Sequence, residues 1–253
     1  ELFIGCAGGV DTTATFDFDR ESVPDDHKGY HLQVTGLNGG HSGDEIHKGL
    51  GNALKIVNRF LWNATDHYDV RISSFEGGRA RNAIPREAEA VITVNEDDLE
   101  NLKKYFEQFE ADMRNEHKVT EPGLKISFGE TNMPAYVIDE DTQHDLVNAL
   151  YGCPHGVHAW SQDIEDLVET STNLAAIKMN ENDSFYITTS QRSSVDSAKD
   201  DIASMVESVF RLGNAKVDHS AGYPGWQPNT DSQIMKTTRD AYKRLFNSDP
   251  EVK

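Results

Sequence analysis

Three residues have the side chains and the setting to do chemistry: His41, Asn82 and Arg192. His41 stands in Gly36-Leu37-Asn38-Gly39-Gly40-His41-Ser42-Gly43-Asp44, whose glycines permit a tight turn and close approach by a ligand. Asn82 lies in the loop Glu76 to Pro85, where Arg79, Arg81 and Arg86 form a positive island in an acidic chain. Arg192 ends a strand-like run, with Ser190, Ser193 and Ser194 around it. An imidazole and an amide N–H can each donate to a developing oxyanion. A guanidinium can grip a carboxylate through two parallel bonds. Taken singly, each residue is more often structural. Brought together, they suit an anionic ligand or an acidic partner surface.

A hydrolytic metal site needs His and carboxylates clustered at ligand spacing, and no such cluster is visible. Asp25-Asp26-His27, Asp97-Asp98 and Asp200-Asp201 read as solvated turns or helix starts. His155 and His158 are neighbours in a loop without a nearby cysteine, a poor metal site. No nucleophile elbow, phosphate loop or dinucleotide fingerprint occurs. The chain therefore carries recognition chemistry without a complete catalytic centre.

Of the 253 residues, 43 are acidic and 24 basic, a formal charge of −19. Like-charge repulsion opposes binding to nucleic acid or to an anionic membrane. No apolar run approaches the roughly 20 residues that span a bilayer, and no secretory signal is present. These features predict a cytoplasmic protein. Cys6 and Cys153 are too few for a disulfide framework and read as small buried thiols. The chain begins at Glu1, so a piece of a longer protein is expected.

The elements that must position the three residues follow from hydrophobic periodicity. Asp11 to Phe18 alternates like an edge strand, and Tyr30 to Thr35 is the next strand. A long amphipathic helix is expected straight after His41, with Ser42 or Asp44 as its cap and apolar residues from Ile46 to Leu61. The imidazole would then stand beside a helix N-terminus. Asn63 to Asp69 reads as a polar break. Strands at Val70–Phe75 and Ala88–Val94, a helix from Leu99 and a strand at Leu124–Phe128 complete a split βαβ plan. Element order then repeats: a helix at Asp139–Leu150, an irregular stretch at Tyr151–Glu169, and strands at Thr172–Met179 and Ser184–Ser190. A helix from Val195 and a closing strand at Ala215–Val217 end this second half. The expected fold class is α+β, a doubled ferredoxin-like sandwich with an antiparallel sheet and helices on one face. The expected divisions are residues 1–10, 11–130 for the first half, 131–220 for the second, and 221–253 for a linker and returning helix.

The stretch Asn38 to Asp44, with Gly49 and Gly51-Asn52-Ala53, resembles the lid signature of the di-zinc amidohydrolases and peptidases, which include carboxypeptidase G and peptidase T. Phe75 to Pro85, with its Asn-x-Ile-Pro, resembles the second signature. Leu2 to Gly9 and Gly222-Tyr223-Pro224-Gly225-Trp226 are most similar to the aminoacylhistidine (Xaa-His) dipeptidase branch, also called cytosol non-specific dipeptidase. The resemblance covers essentially the whole chain. It implies a lid that also mediates homodimerisation, with stubs of an α/β catalytic domain at both ends. It further implies two zinc ions, whose ligands should lie outside this stretch, and a metal-activated water as nucleophile. His41 would match the lid histidine that polarises the scissile carbonyl of a dipeptide substrate. Asn82 would match a substrate-contacting asparagine, and Arg192 the arginine that holds the substrate carboxylate. The isolated chain is expected to bind no zinc and to have no peptidase activity. The competing expectation is a non-catalytic dimerisation or binding module whose histidine turn is incidental.

Overall fold

The structure is a computed structural model that describes residues 2, 4–229 and 231–251. The chain begins with β1 (Gly8–Asp17), β2 (Arg20–Glu21), β3 (His27–Thr35), β4 (Gly40–His41), α1 (Ala53–His67), β5 (Val70–Gly77), β6 (Ala83–Ile84) and β7 (Ala88–Asn95). It continues with α2 (Leu99–Glu116), β8 (Lys125–Glu130), β9 (Val137–Ile138), α3 (Glu140–Gly152), β10 (Gly156–Trp160) and β11 (Val168–Asn180). The last elements are β12 (Ser184–Ser193), α4 (Asp196–Leu212), β13 (Lys216–His219) and α5 (Gln233–Phe246).

Nine strands form one sheet in the order β13-β1-β12-β11-β5-β7-β3-β8, with β10 paired to β11 off this path. Every pairing in it is antiparallel. The order resolves into two βαββαβ units of the same topology. The first is β3-α1-β5-β7-α2-β8. The second is β1-α3-β11-β12-α4-β13, so the first unit is inserted after the opening strand of the second. In the sheet the units meet at one bridge, Ile177 opposite Gly77. Their helices share one face: α1 packs on β3, β5 and β7, α4 on β1, β11 and β12, and α3 lies against both helices. This is the doubled antiparallel sandwich expected from periodicity.

The helix layer is tied across the units as well. Lys55 of α1 points its ammonium at the carbonyls of Leu150, Tyr151 and Cys153, the orphan acceptors at the end of α3. Gln143 of α3 bonds both backbone groups of the β5 edge, accepting from Ile72 N–H and donating to Val70 C=O.

Several local expectations change. The helix after His41 starts at Ala53, capped by Asn52, whose Oδ1 accepts from Leu54 and Lys55 N–H. Ile46–Lys48 is only a 3-10 turn ended by left-handed Gly49. Gly49 and Gly51 interrupt the chain before an α-helix can form, so His41 is not at an α-helix N-terminus. That helix also runs on to His67, through the expected polar break. β1 is interior, between β13 and β12, because an antiparallel strand with one open face alternates just as an edge strand does. The irregular stretch after α3 contains β10. Cys153 is buried as expected, but Cys6 is exposed.

Candidate functional site

Arg192 lies on the helix-free face of β12, in alternation with core-facing Ile187, Thr189 and Gln191. Two loops of the first unit fold over this face. The His41 loop and the Asn82 loop are zipped together by a small ladder, Gly40 opposite Ile84 and His41 opposite Ala83. Ser42 N–H also donates to the Asn82 carbonyl at 2.9 Å.

The His41 loop is tied at both ends to one buried carboxylate. Glu121 accepts from Asn38 N–H at 2.6 Å and from Gly51 N–H at 2.7 Å, and its residue is only 2% exposed. At its root Gly36 has φ +77 and passes so close to Gly123 that a side chain could not fit. Glu45 accepts from the His41 backbone N–H at 2.9 Å. The Lys48 ammonium first, and this backbone bond second, hold the Glu45 carboxyl below its usual range.

The imidazole of His41 is oriented by its own turn. Its Nδ1 accepts from Asp44 N–H at 3.1 Å and Gly43 N–H at 3.3 Å. The Asp44 carboxylate lies 3.5 Å from the same nitrogen but is largely exposed, so the two backbone donors decide the tautomer. Nδ1 is the acceptor, and the ring hydrogen belongs on Nε2, where it is available as a donor.

Gly43 brings His41 to Arg192. A Cβ at Gly43 would lie 3.3 Å from Arg192 Nη1 and 3.3 Å from His41 Cε1. The imidazole and the guanidinium thus flank one glycine, and a side chain there would press on both. Among the described residues the Arg192 guanidinium has no hydrogen bond or ion pair, and its buried Nε is unpartnered. Asn82 is exposed and shares a cavity of about 440 Å³ with Arg192, Asp11, Arg81, Ser190 and Tyr223. Arg81 is turned to Asp11 at 2.6 Å and is not a free cation. A larger groove of about 770 Å³ runs along the seam past Arg79, Arg86 and Met179, but contains none of the three candidate residues. The smaller cavity is the better candidate site because Asn82 and Arg192 both line it, although His41 does not.

Two further residues shape the site, and nothing in the local sequence marks them. Glu121 precedes an ordinary Pro-Gly turn, and Asn173 sits mid-strand in β11. Asn173 Nδ2 donates to the carbonyls of Ala83 at 2.9 Å and Arg81 at 3.5 Å.

His155 and His158 do not pair. His155 Nδ1 accepts from Leu174 N–H and faces the Asn52 amide, while His158 is exposed on β10. Burial first, and the Lys55 charge second, push His155 down to about 4. Among the described residues no three His, Cys, Asp or Glu side chains are grouped to hold a metal ion. No described helix is long and apolar enough to cross a membrane.

Residues 26–121 match the model of the Peptidase dimerisation domain. The match then extends to particular enzymes. Over 252 residues the chain is 38% identical to the Cytosol non-specific dipeptidase of Escherichia coli (strain K12), covering 100% of this chain and 52% of that protein. The solved Aminoacylhistidine Dipeptidase of Vibrio alginolyticus superimposes with a TM-score of 0.95 at 35% identity, over 99% of this chain and 51% of that one. The chain spans about half the length of these relatives, and it matches the dimerisation, or lid, region of the aminoacylhistidine and cytosol dipeptidases.

Proposed function

We propose that this chain is the lid and dimerisation region of a zinc metallodipeptidase that hydrolyses dipeptides such as Xaa-His, β-alanyl-histidine among them. In this reading it supplies the substrate-gripping half of the active site. The described residues offer no ligand set for zinc, so the two metal ions fall to a catalytic domain of the same protein, and the chain alone is inactive. The dimerisation-domain match supports a homodimer formed through the lid.

The observation that carries the reading is the closeness of His41 and Arg192 across Gly43. In a dipeptide, only one N and one Cα separate the scissile carbonyl carbon from the terminal carboxylate carbon. Each added residue would move that carboxylate roughly 3.3–3.6 Å further away. A donor for the carbonyl oxygen and a clamp for the carboxylate must therefore be close neighbours in a dipeptidase. His41 Nε2–H is free to donate to the oxyanion as the carbonyl is attacked. Arg192, unpaired among the described residues of a chain rich in carboxylates, takes the substrate carboxylate, with Asn82 beside it on the cavity wall. The reaction environment is cytoplasmic in this reading.

Arg192→Met in the complete enzyme tests it. Wild type should prefer a dipeptide with a free carboxylate over the same dipeptide as a C-terminal amide. The variant should lose that preference through KM, about a hundredfold for the free acid, the scale of a charge-assisted pair. An unchanged preference would remove Arg192 from the carboxylate site.

A further inference from the structure

We propose that Asn173 is a positioning residue: a side chain of the second unit that fixes the substrate-contacting loop of the first unit at Asn82. This rests on the reading of Asn82 as a substrate contact, and it adds the device that holds Asn82 in place. Asn173 is fully buried in the middle of β11, opposite Ser190 of β12. Its amide donates to the carbonyls on both sides of Asn82, those of Arg81 and Ala83. The carbonyl of Asn82 itself points the other way and takes the Ser42 N–H. The backbone around Asn82 is thus held from below by the second unit and from the side by the His41 loop. Its exposed side chain is left free to face a ligand.

The orientation of Asn173 is unambiguous, because two carbonyls require its nitrogen and not its oxygen. Its Oδ1 is consequently buried without a partner. Six buried side-chain polar atoms among the described residues lack a partner, and three are Ser42 Oγ, Asn173 Oδ1 and Arg192 Nε. Half of the unmet groups thus gather in the patch that holds His41, Asn82 and Arg192. Unmet buried groups are rare in native folds and are expected where geometry serves a site rather than stability. Asn173 keeps its donors on the Asn82 loop and leaves its acceptor unmet. Arg192 lies diagonally across on the neighbouring strand and the same face, since Ser171 is its partner in register. Asn173 therefore sits beside both Asn82 and Arg192, two of the three residues that would touch substrate.

Hydrogen exchange at the Ser42 amide reads the clamp without any assay of activity. In Asn173→Ala the Ser42 amide should lose protection by about tenfold, the scale of one lost hydrogen bond, with Leu32 and Ile92 in the first unit's sheet unchanged. Asn173→Leu keeps the approximate shape and removes the donors. Clamping predicts the same loss at Ser42, whereas a packing role predicts protection near wild type. If Asn173→Ala does not fold, the Leu variant still decides. Ser42 protection within twofold of wild type in the Leu variant overturns the proposal. In the complete enzyme, Asn173→Ala should also raise KM for a dipeptide by about tenfold, with kcat within twofold. A changed exchange rate with unchanged KM keeps the clamp and overturns the role of Asn82 in substrate binding.

Discussion

The first unit gathers a cluster of aromatic rings around Phe60 between sheet and helices, whereas the second, beside its buried Phe16, Phe185 and Phe210, also runs polar side chains through that layer. Phe60 of α1 is fully buried, its ring 5.4 Å from those of Tyr105 and Phe109 and 5.6 Å from that of Phe128. In the second unit Thr12 donates to Gln191 Oε1 at 2.7 Å, and Gln191 Nε2 donates to Thr189 at 2.8 Å and Thr172 at 3.2 Å. All four residues are at most 2% exposed. One topology therefore supports two kinds of core. Long loops project from the first unit and bring His41 and Asn82 to the candidate site. The second unit carries Arg192 and Asn173 directly on β12 and β11, on the face opposite the Gln191 network. The candidate site lies where loops of the one cover strands of the other.

The contrast can be broken at its hydrophobic end first. Phe60→Ala should cost about 3–5 kcal/mol, from lost burial and the cavity left among the rings of Tyr105, Phe106, Phe109 and Phe128, as measured by urea unfolding. A cost below about 1 kcal/mol would mean that the aromatic cluster is not the base of the first unit. Gln191→Ala removes the hub of the polar network and leaves the hydroxyls of Thr12, Thr172 and Thr189 short of partners. It should cost about 1–3 kcal/mol in the same assay, and a neutral result would show that the network is ornamental.

The third test is a slope with pH. His155 lies where the units meet, between Asn52 of the first and Leu174 of the second, and the fold lowers its proton affinity from 6.5 to about 4. The unfolded chain then binds the proton that the folded chain refuses. Stability from the neutral ring is fully present above about 6.5 and is lost as pH falls toward about 4. His155→Phe should unfold with a shallower pH dependence than wild type across that window. Equal slopes would mean that His155 titrates alike in both states.

Much of this was legible in the chain. Spacings of three and four found α1, α2 and α4, and element order alone gave the doubled sandwich. The glycines around His41 and the arginines around Asn82 marked the two loops. Other features required three dimensions. β1 alternates like an edge strand because one of its faces is open, and nothing local says that it pairs with β12, more than 160 residues away. Gly49, Gly51 and Asn52 could have moved the start of α1, since two glycines before an Asn cap outweigh apolar spacing at Ile46 and Leu50. Glu121 and Asn173 gave no signal. Each acts through backbone groups distant in sequence, and backbone groups carry no residue identity.

The central account is that this chain brings half of an active site, with His41 as donor to the oxyanion. His41→Ala in the complete enzyme tests it most directly. The account predicts a fall in turnover of about 10²–10³, the scale of removing one oxyanion donor, with dimerisation and metal content unchanged. An unchanged turnover with the same dimer and metal content would contradict it, leaving His41 as a turn residue in a dimerisation module.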